Sequence, residues 1–257
     1  MCGRTTSTIS RDEVAELLDV DEVATPELPP RWNVAPAQQV YAVVPTRYGQ
    51  RRLGALSWGL VHKRAGRTVA GRLINARAET LAVRPAFRSL VESHRALLIF
   101  SGFYEWQRAG AGRGRSQPYY FYRGDGAALV FAALWDMFVG PDGQRLGCCA
   151  IITTCANAVM APVHSRMPAI LGPGDWEEWT SRRPLSPGRL EGLLRPVRCD
   201  VLAAHPVGPA VNSVLNDGPG LVLPVAEHQG LVVPRLELAE TATEGIIAGI
   251  PAPGTAG

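Results

Sequence analysis

Residues 11–18 (Arg-Asp-Glu-Val-Ala-Glu-Leu-Leu) place their apolar positions at helical intervals behind Ser10, a good N-cap, and predict an early helix. Pro26, Pro29 and Pro30 then favour an extended connection into Arg31-Trp32-Asn33-Val34-Ala35-Pro36. β-branched and aromatic runs predict strands over 39–44, 52–60, 96–100, 103–106, 119–122, 129–134 and 146–154, several of them short and hairpin-spaced. Helical spacing returns over 79–90, 174–179 and 187–194. Many short strands with few helices predict an α+β fold of curved, mostly antiparallel, barrel-like sheets with helices on the periphery. Residues 107–117, rich in Gly and Arg, are too irregular for a dinucleotide fingerprint or a P-loop and read as a solvated hairpin connection. One domain is expected over 2–235. The Gly/Pro/Ala-rich stretch 248–257 reads as a disordered tail.

A chain of 257 residues with 46% hydrophobic content can bury a substantial core. It contains no apolar run of the roughly 18 residues that span a bilayer, and Arg4, Arg11, Asp12 and Glu13 stand where a signal peptide needs an apolar stretch. The expectation is a cytoplasmic protein without membrane contact. Five cysteines, an odd number, suit reduced thiols better than a disulfide framework. Cys148, Cys149 and Cys155 form no C-x-x-C pair and lie in a strand-like segment, so no metal site and no cofactor are expected. A net charge of +3 is too mild to mark a nucleic-acid domain by itself.

The chemistry concentrates at Cys2. Removal of Met1 would put an α-amine and a thiol on one terminal residue. Their ordinary pKa values, about 8 and about 8.5, leave more nucleophile at neutral pH than a lysine near about 10.4, and Lys63 is the only lysine. An aldehyde captured by the amine gives an imine, which the adjacent thiol can close into a thiazolidine. In Ser101-Gly102-Phe103-Tyr104-Glu105-Trp106, strand alternation puts Phe103 and Glu105 on one face, so a core-facing Phe103 turns Glu105 inward, to an apolar wall suited to proton transfer. His164, between Pro162 and Pro168, could shuttle a proton. Asn75, read alone, could cap the following helical stretch.

With Cys2-Gly3-Arg4, Asn75-Ala76-Arg77-Ala78-Glu79 and His164-Ser165-Arg166-Met167-Pro168, these islands make the chain resemble the SOS response-associated peptidase (SRAP) family, over roughly residues 2–225. The resemblance implies action on abasic sites in single-stranded DNA, with Cys2 forming a thiazolidine with the ring-opened sugar. It also implies that Asn75 positions the Cys2 terminus and that Glu105 and His164 assist formation and reversal of the adduct. Arg4, Arg77 and Arg166 are the phosphate-binding candidates, and Trp58, with Trp32 and Trp106, the candidates for stacking on bases. The expected partner is single-stranded DNA carrying abasic sites, bound by a monomer. Two departures from the family pattern are Val61-His62-Lys63-Arg64 after the Trp58-Gly59 segment and Ser165 where Asp is common. The competing readings are an N-terminal-nucleophile cysteine peptidase, whose plausible proteolysis is removal of its own Met1, and a noncovalent single-stranded DNA-binding module.

Overall fold

The computed structural model describes residues 2–64, 67–108 and 116–225, and for 62–64 and 67–70 the backbone alone. The predicted tail over 248–257, the end of the predicted domain and most of the Gly/Arg segment lie outside the described residues.

In chain order the strands are β1 (Arg4–Ser7), β2 (Glu22–Val23), β3 (Arg31–Val34), β4 (Gln39–Pro45), β5 (Arg51–Trp58), β6 (Leu60–Arg64), β7 (Arg67–Leu73), β8 (Asn75–Arg77), β9 (Arg95–Phe100), β10 (Gly102–Gln107), β11 (Gln117–Arg123), β12 (Leu129–Val139), β13 (Arg145–Cys155), β14 (Arg166–Pro168) and β15 (Leu202–Pro206). The helices are α1 (Arg11–Leu17), α2 (Pro85–Ser93), α3 (Pro173–Thr180) and α4 (Pro187–Leu193). Strands β13, β12, β9, β4 and β5 pair in series, and a parallel pairing of β13 with β5 (Cys148 opposite Ser57, Cys149 opposite Trp58) closes them into a five-stranded barrel. A second sheet runs in the order β15, β11, β10, β1, β3. The α+β, barrel-like, mainly antiparallel architecture is the expected one.

Alternation along the barrel strands sorts the core into two clusters. Tyr41, Val43, Leu97, Ile99, Val130, Ala132 and Ile152 meet side chains from all four helices, whereas Val40, Ala42, Leu98, Phe100, Phe131 and Ile151 meet Phe103, Phe121 and Cys2. A five-stranded barrel is too narrow to contain a helix, so the first set faces outward and the second is the barrel interior. The second sheet therefore contributes Cys2 and the Phe103–Phe121 stack, with ring centroids 5.1 Å apart, to the interior core.

Local signals explain the element ends. Ser10 caps α1 in a full capping box with Glu13. The helix expected over 79–90 divides into a 3-10 turn at Ala78–Thr80 and α2, because Pro85 occupies the first helical turn and holds Arg84 extended. The strand expected over 52–60 stops at Trp58, since Gly59 adopts φ 121° and turns the chain into β6. The Arg31–Val34 segment, into which the extended connection leads and for which no strand is expected, is a strand paired with β1.

Arg95, at the start of β9, is 1% exposed. Its guanidinium donates to the carbonyls of Val91 (2.8 Å) and Glu92 (3.2 Å) at the end of α2 and to those of Trp179 (2.8 Å), Ser181 and Arg183 (2.9 Å) around the end of α3. One cation thus satisfies the orphan carbonyls of two helix C-termini, where the helix dipole favours positive charge.

Burial pushes up the thiols of Cys148 and Cys149 and the phenols of Tyr104 and Tyr120. In an unfolded chain these groups ionise near about 8.5 and about 10. The folded state holds their protons more tightly, so their contribution to stability is complete below about pH 8.5 and is lost as pH rises above it. The urea midpoint is expected to fall steadily between about pH 8 and pH 10.5. A flat midpoint across that window contradicts this.

Candidate active site at the amino terminus

β1 is an inner strand of the second sheet, between β10 and the edge strand β3, and pairs with β10 through Arg4 opposite Tyr104 and Thr5 opposite Phe103. Antiparallel pairing brings the amino terminus alongside Glu105. Gly102, which opens β10, is required because its backbone packs directly against the Tyr120 ring, where any side chain would collide. Phe103 (0% exposed) and Glu105 (4%) face inward together, as alternation predicts.

Asn75 lies on β8, which pairs in parallel with β13 (Asn75 opposite Ile151). It is a strand residue and caps no helix. Its Nδ2 donates to the Cys2 carbonyl at 2.8 Å, and its Oδ1 is buried with no hydrogen-bond donor among the described residues. The orphan acceptor beside the terminus is a costly feature that a nearby amine would satisfy. Cys2 itself is 2% exposed in the chain that retains Met1. Burial first, and the neighbouring Glu105 carboxylate second, push its thiol well above the ordinary thiol range. This corrects the expectation of an appreciable thiolate fraction at neutral pH. The Cys2 sulfur carries its proton and must transfer it on reacting.

His164 follows a turn in which Asn157 Oδ1 accepts from the Met160 amide at 3.0 Å. His164 Nδ1 lies 2.9 Å from the Arg166 amide and 3.2 Å from the Arg166 carbonyl; the shorter bond, donated by the amide, calls for a lone pair on Nδ1 and so for the proton of the neutral ring on Nε2. Nε2 is 3.5 Å from Glu105 Oε1. The four residues Cys2, Asn75, Glu105 and His164, far apart in sequence, therefore converge on one pole of the barrel. Cys148 and Cys149 are buried within β13, and among the described residues no group of His, Cys, Asp or Glu has the arrangement of a metal site.

The sequence agrees with this arrangement from an independent direction: residues 1–214 match the profile of the SOS response associated peptidase (SRAP) family. The chain belongs to the SRAP family. It is 35% identical over 224 residues to the abasic site processing protein YoqW of Bacillus subtilis, covering 86% of this chain and 99% of that one. It is 31% identical over 232 residues to the abasic site processing protein YedK of Escherichia coli, covering 88% and 100%. A crystal structure of a Bacteroides thetaiotaomicron protein shares the fold at a TM-score of 0.76 and 22% identity, over 88% of this chain and all of that one.

The other predicted site residues of this SRAP protein have different environments. Arg166 is held by Glu79 through two contacts of 2.6 and 3.0 Å and donates to the Thr153 carbonyl at 2.5 Å; the ion pair keeps the Glu79 carboxyl below its ordinary range. Arg4 donates from Nη1 to Asn33 Oδ1 and to the Val211 carbonyl, each at 2.7 Å, and lies over the Trp106 ring. Arg77 is exposed. Trp58 is fully buried, with its indole N–H donating to the Ile74 carbonyl at 3.0 Å, and presents no ring face to a base. Its bulk fills the barrel interior instead, while Trp32 and Trp106 remain partly exposed. Sequence reasoning gave Glu79 no role; its place at the end of the Asn75 island, four residues on, was the available signal.

Proposed function

We propose that this protein processes abasic sites in single-stranded DNA by capturing the ring-opened sugar on Cys2 after Met1 is removed. The observation that carries the reading is the convergence of Cys2, Asn75, Glu105 and His164 on the amino terminus, together with relatives named as abasic site processing proteins.

The freed α-amine of Cys2 adds to the sugar aldehyde, and one water leaves to give an imine. Asn75 Oδ1, placed beside the Cys2 backbone, accepts from the amine and orients it. The thiol then adds across the C=N bond: a C–S bond forms, and the sulfur proton is transferred to nitrogen. Because Cys2 is held protonated, this closure needs a base, and Glu105 is the carboxylate that acts on it. His164, with its proton on Nε2 facing Glu105, donates a hydrogen bond to the carboxylate and holds it in place, and Glu105 returns the proton to sulfur when the ring reopens. Arg77 is the exposed cation for the strand's phosphate, and Arg4 and Arg166 can join it only by loosening their protein contacts.

The test is intact mass spectrometry of untagged protein incubated with a single-stranded oligonucleotide carrying one abasic site. A denaturation-resistant adduct is expected at the sum of the two masses less one water, on protein lacking Met1, and absent for Cys2→Ala. Correctly processed protein that forms no adduct excludes the covalent mechanism.

A further inference from the structure

A second site lies at the opposite pole of the barrel. There the tip of the β4–β5 hairpin, the end of α2, the start of α3's following segment and β12 enclose a pocket of about 550 Å3. The six residues of β9, roughly 20 Å at about 3.3 Å each, separate this pocket from the junction into β10 and Glu105. Three arginines line it, Arg47, Arg52 and Arg182, against one carboxylate, Glu22. Glu22 is already paired with Arg52 at 2.8 Å, and Arg47 and Arg182 have no ion-pair partner among the described residues. Two guanidinium groups are therefore uncompensated.

Aromatic surface accompanies the charge. Tyr48 is 73% exposed, the most exposed ring among the large apolar residues described. The hairpin tip holds it in place: Thr46 Oγ1 accepts from the amides of Tyr48 (3.3 Å) and Gln50 (3.2 Å), and Gly49 turns with φ 84°. Arg47 lies 4.5 Å over the Tyr48 ring and donates to its hydroxyl, so one ring face is backed by a cation. Behind them the His94 and Trp135 rings pack with centroids 5.0 Å apart. A fixed, exposed ring beside unpaired guanidinium groups matches a strand with unstacked bases and a phosphate backbone. A duplex hides its base faces and offers Tyr48 nothing to stack on.

We propose that this pocket binds undamaged single-stranded DNA, with a base on Tyr48 and flanking phosphates on Arg47 and Arg182. The site goes beyond the Cys2 reading and does not depend on it, because it needs neither an aldehyde nor a processed terminus.

The experiment measures fluorescence anisotropy of a labelled, undamaged oligothymidylate of about 30 nucleotides as a function of salt. For wild type, binding is expected to be stronger than to a duplex of the same length. Tyr48→Ala is expected to weaken binding by at least about 5-fold, the smaller end of a lost base–aromatic stack, and Tyr48→Phe to restore it. The Arg47→Ala/Arg182→Ala protein is expected to lower the slope of log K against log salt by about 1.4, from about 0.7 per phosphate contact on a single strand. Wild type that fails to bind the undamaged strand, a Tyr48→Ala affinity equal to wild type, or an unchanged salt slope overturns the proposal. The same variants are expected to form the Cys2 adduct on a short abasic oligonucleotide in wild-type yield. Failure of adduct formation in every protein, with Tyr48-dependent binding intact, would reject the Cys2 reading alone.

Discussion

Arg95→Met is expected to destabilise the protein by about 3–5 kcal/mol, as judged by urea unfolding, and to lower its melting temperature by roughly 10 °C. Methionine fills similar volume, so little of this loss comes from a cavity. It comes from the carbonyls of Val91 and Trp179, buried acceptors for which Arg95 is the donor. Each unsatisfied buried group costs about 1–3 kcal/mol, and the last turns of α2 and α3 lose the charge that complements their dipoles. Arg95→Lys is expected to fall between the two, since an ammonium keeps the charge but has three donors and no planar fork to span two helix ends. Burial lowers the Arg95 pKa, but a guanidinium keeps its charge in proteins, so the effect is expected to be the same at pH 6 and pH 8. A melting temperature within a few degrees of wild type for Arg95→Met would show that water replaces the guanidinium at both helix ends.

The second large effect is kinetic. Glu105→Gln is nearly isosteric and keeps the inward-facing side chain, yet under the proposed mechanism it removes the base that acts on the protonated Cys2 thiol. Formation of the DNA adduct is expected to slow by about 10²–10⁴-fold, the usual contribution of a positioned general base. Reopening of the purified adduct is expected to slow as well, because the same carboxylate returns the proton along the same path. Time courses of adduct formation and of transfer to a second abasic strand check both directions. A Gln variant that loses neither rate would remove Glu105 from the chemistry and leave it a buried hydrogen-bonding group.

Much of this site was legible before folding was considered. The alternation that turned Glu105 inward with Phe103 holds, and the islands around Cys2, Asn75 and His164 singled out in the sequence come together in space. The helices expected over 174–179 and 187–194 form close to those bounds, whereas the one expected from residue 79 begins only at Pro85, which sits in its first turn. What the pattern concealed was β1. Its sequence, Arg-Thr-Thr-Ser, carries no hydrophobic alternation, although Thr5 and Thr6 are fully buried on an inner strand of the sheet. β8 and β14, three residues each, are too short for a periodic signal and exist because β13 offers them an edge. The environments of Arg166 and Trp58 were equally invisible, because both depend on residues distant in sequence: Glu79 for the first and the barrel interior for the second. The charge of Cys2 likewise depends on burial that no local window reports.

The inner position of β1, between β10 and β3, also has a consequence for biosynthesis. The amino terminus leaves the ribosome first, but its neighbours on either side, β3 and β10, end at residues 34 and 107, and His164 follows still later. Synthesis at about 5–20 residues per second therefore leaves Cys2 without these neighbours for several seconds or more. During that interval the terminus is an ordinary chain end, open to a processing aminopeptidase and lacking Asn75, Glu105 and His164. Under the proposed function, reactivity toward a lesion is thereby tied to completion of nearly the whole domain, and a truncated nascent chain carries Cys2 without Asn75, Glu105 and His164 around it.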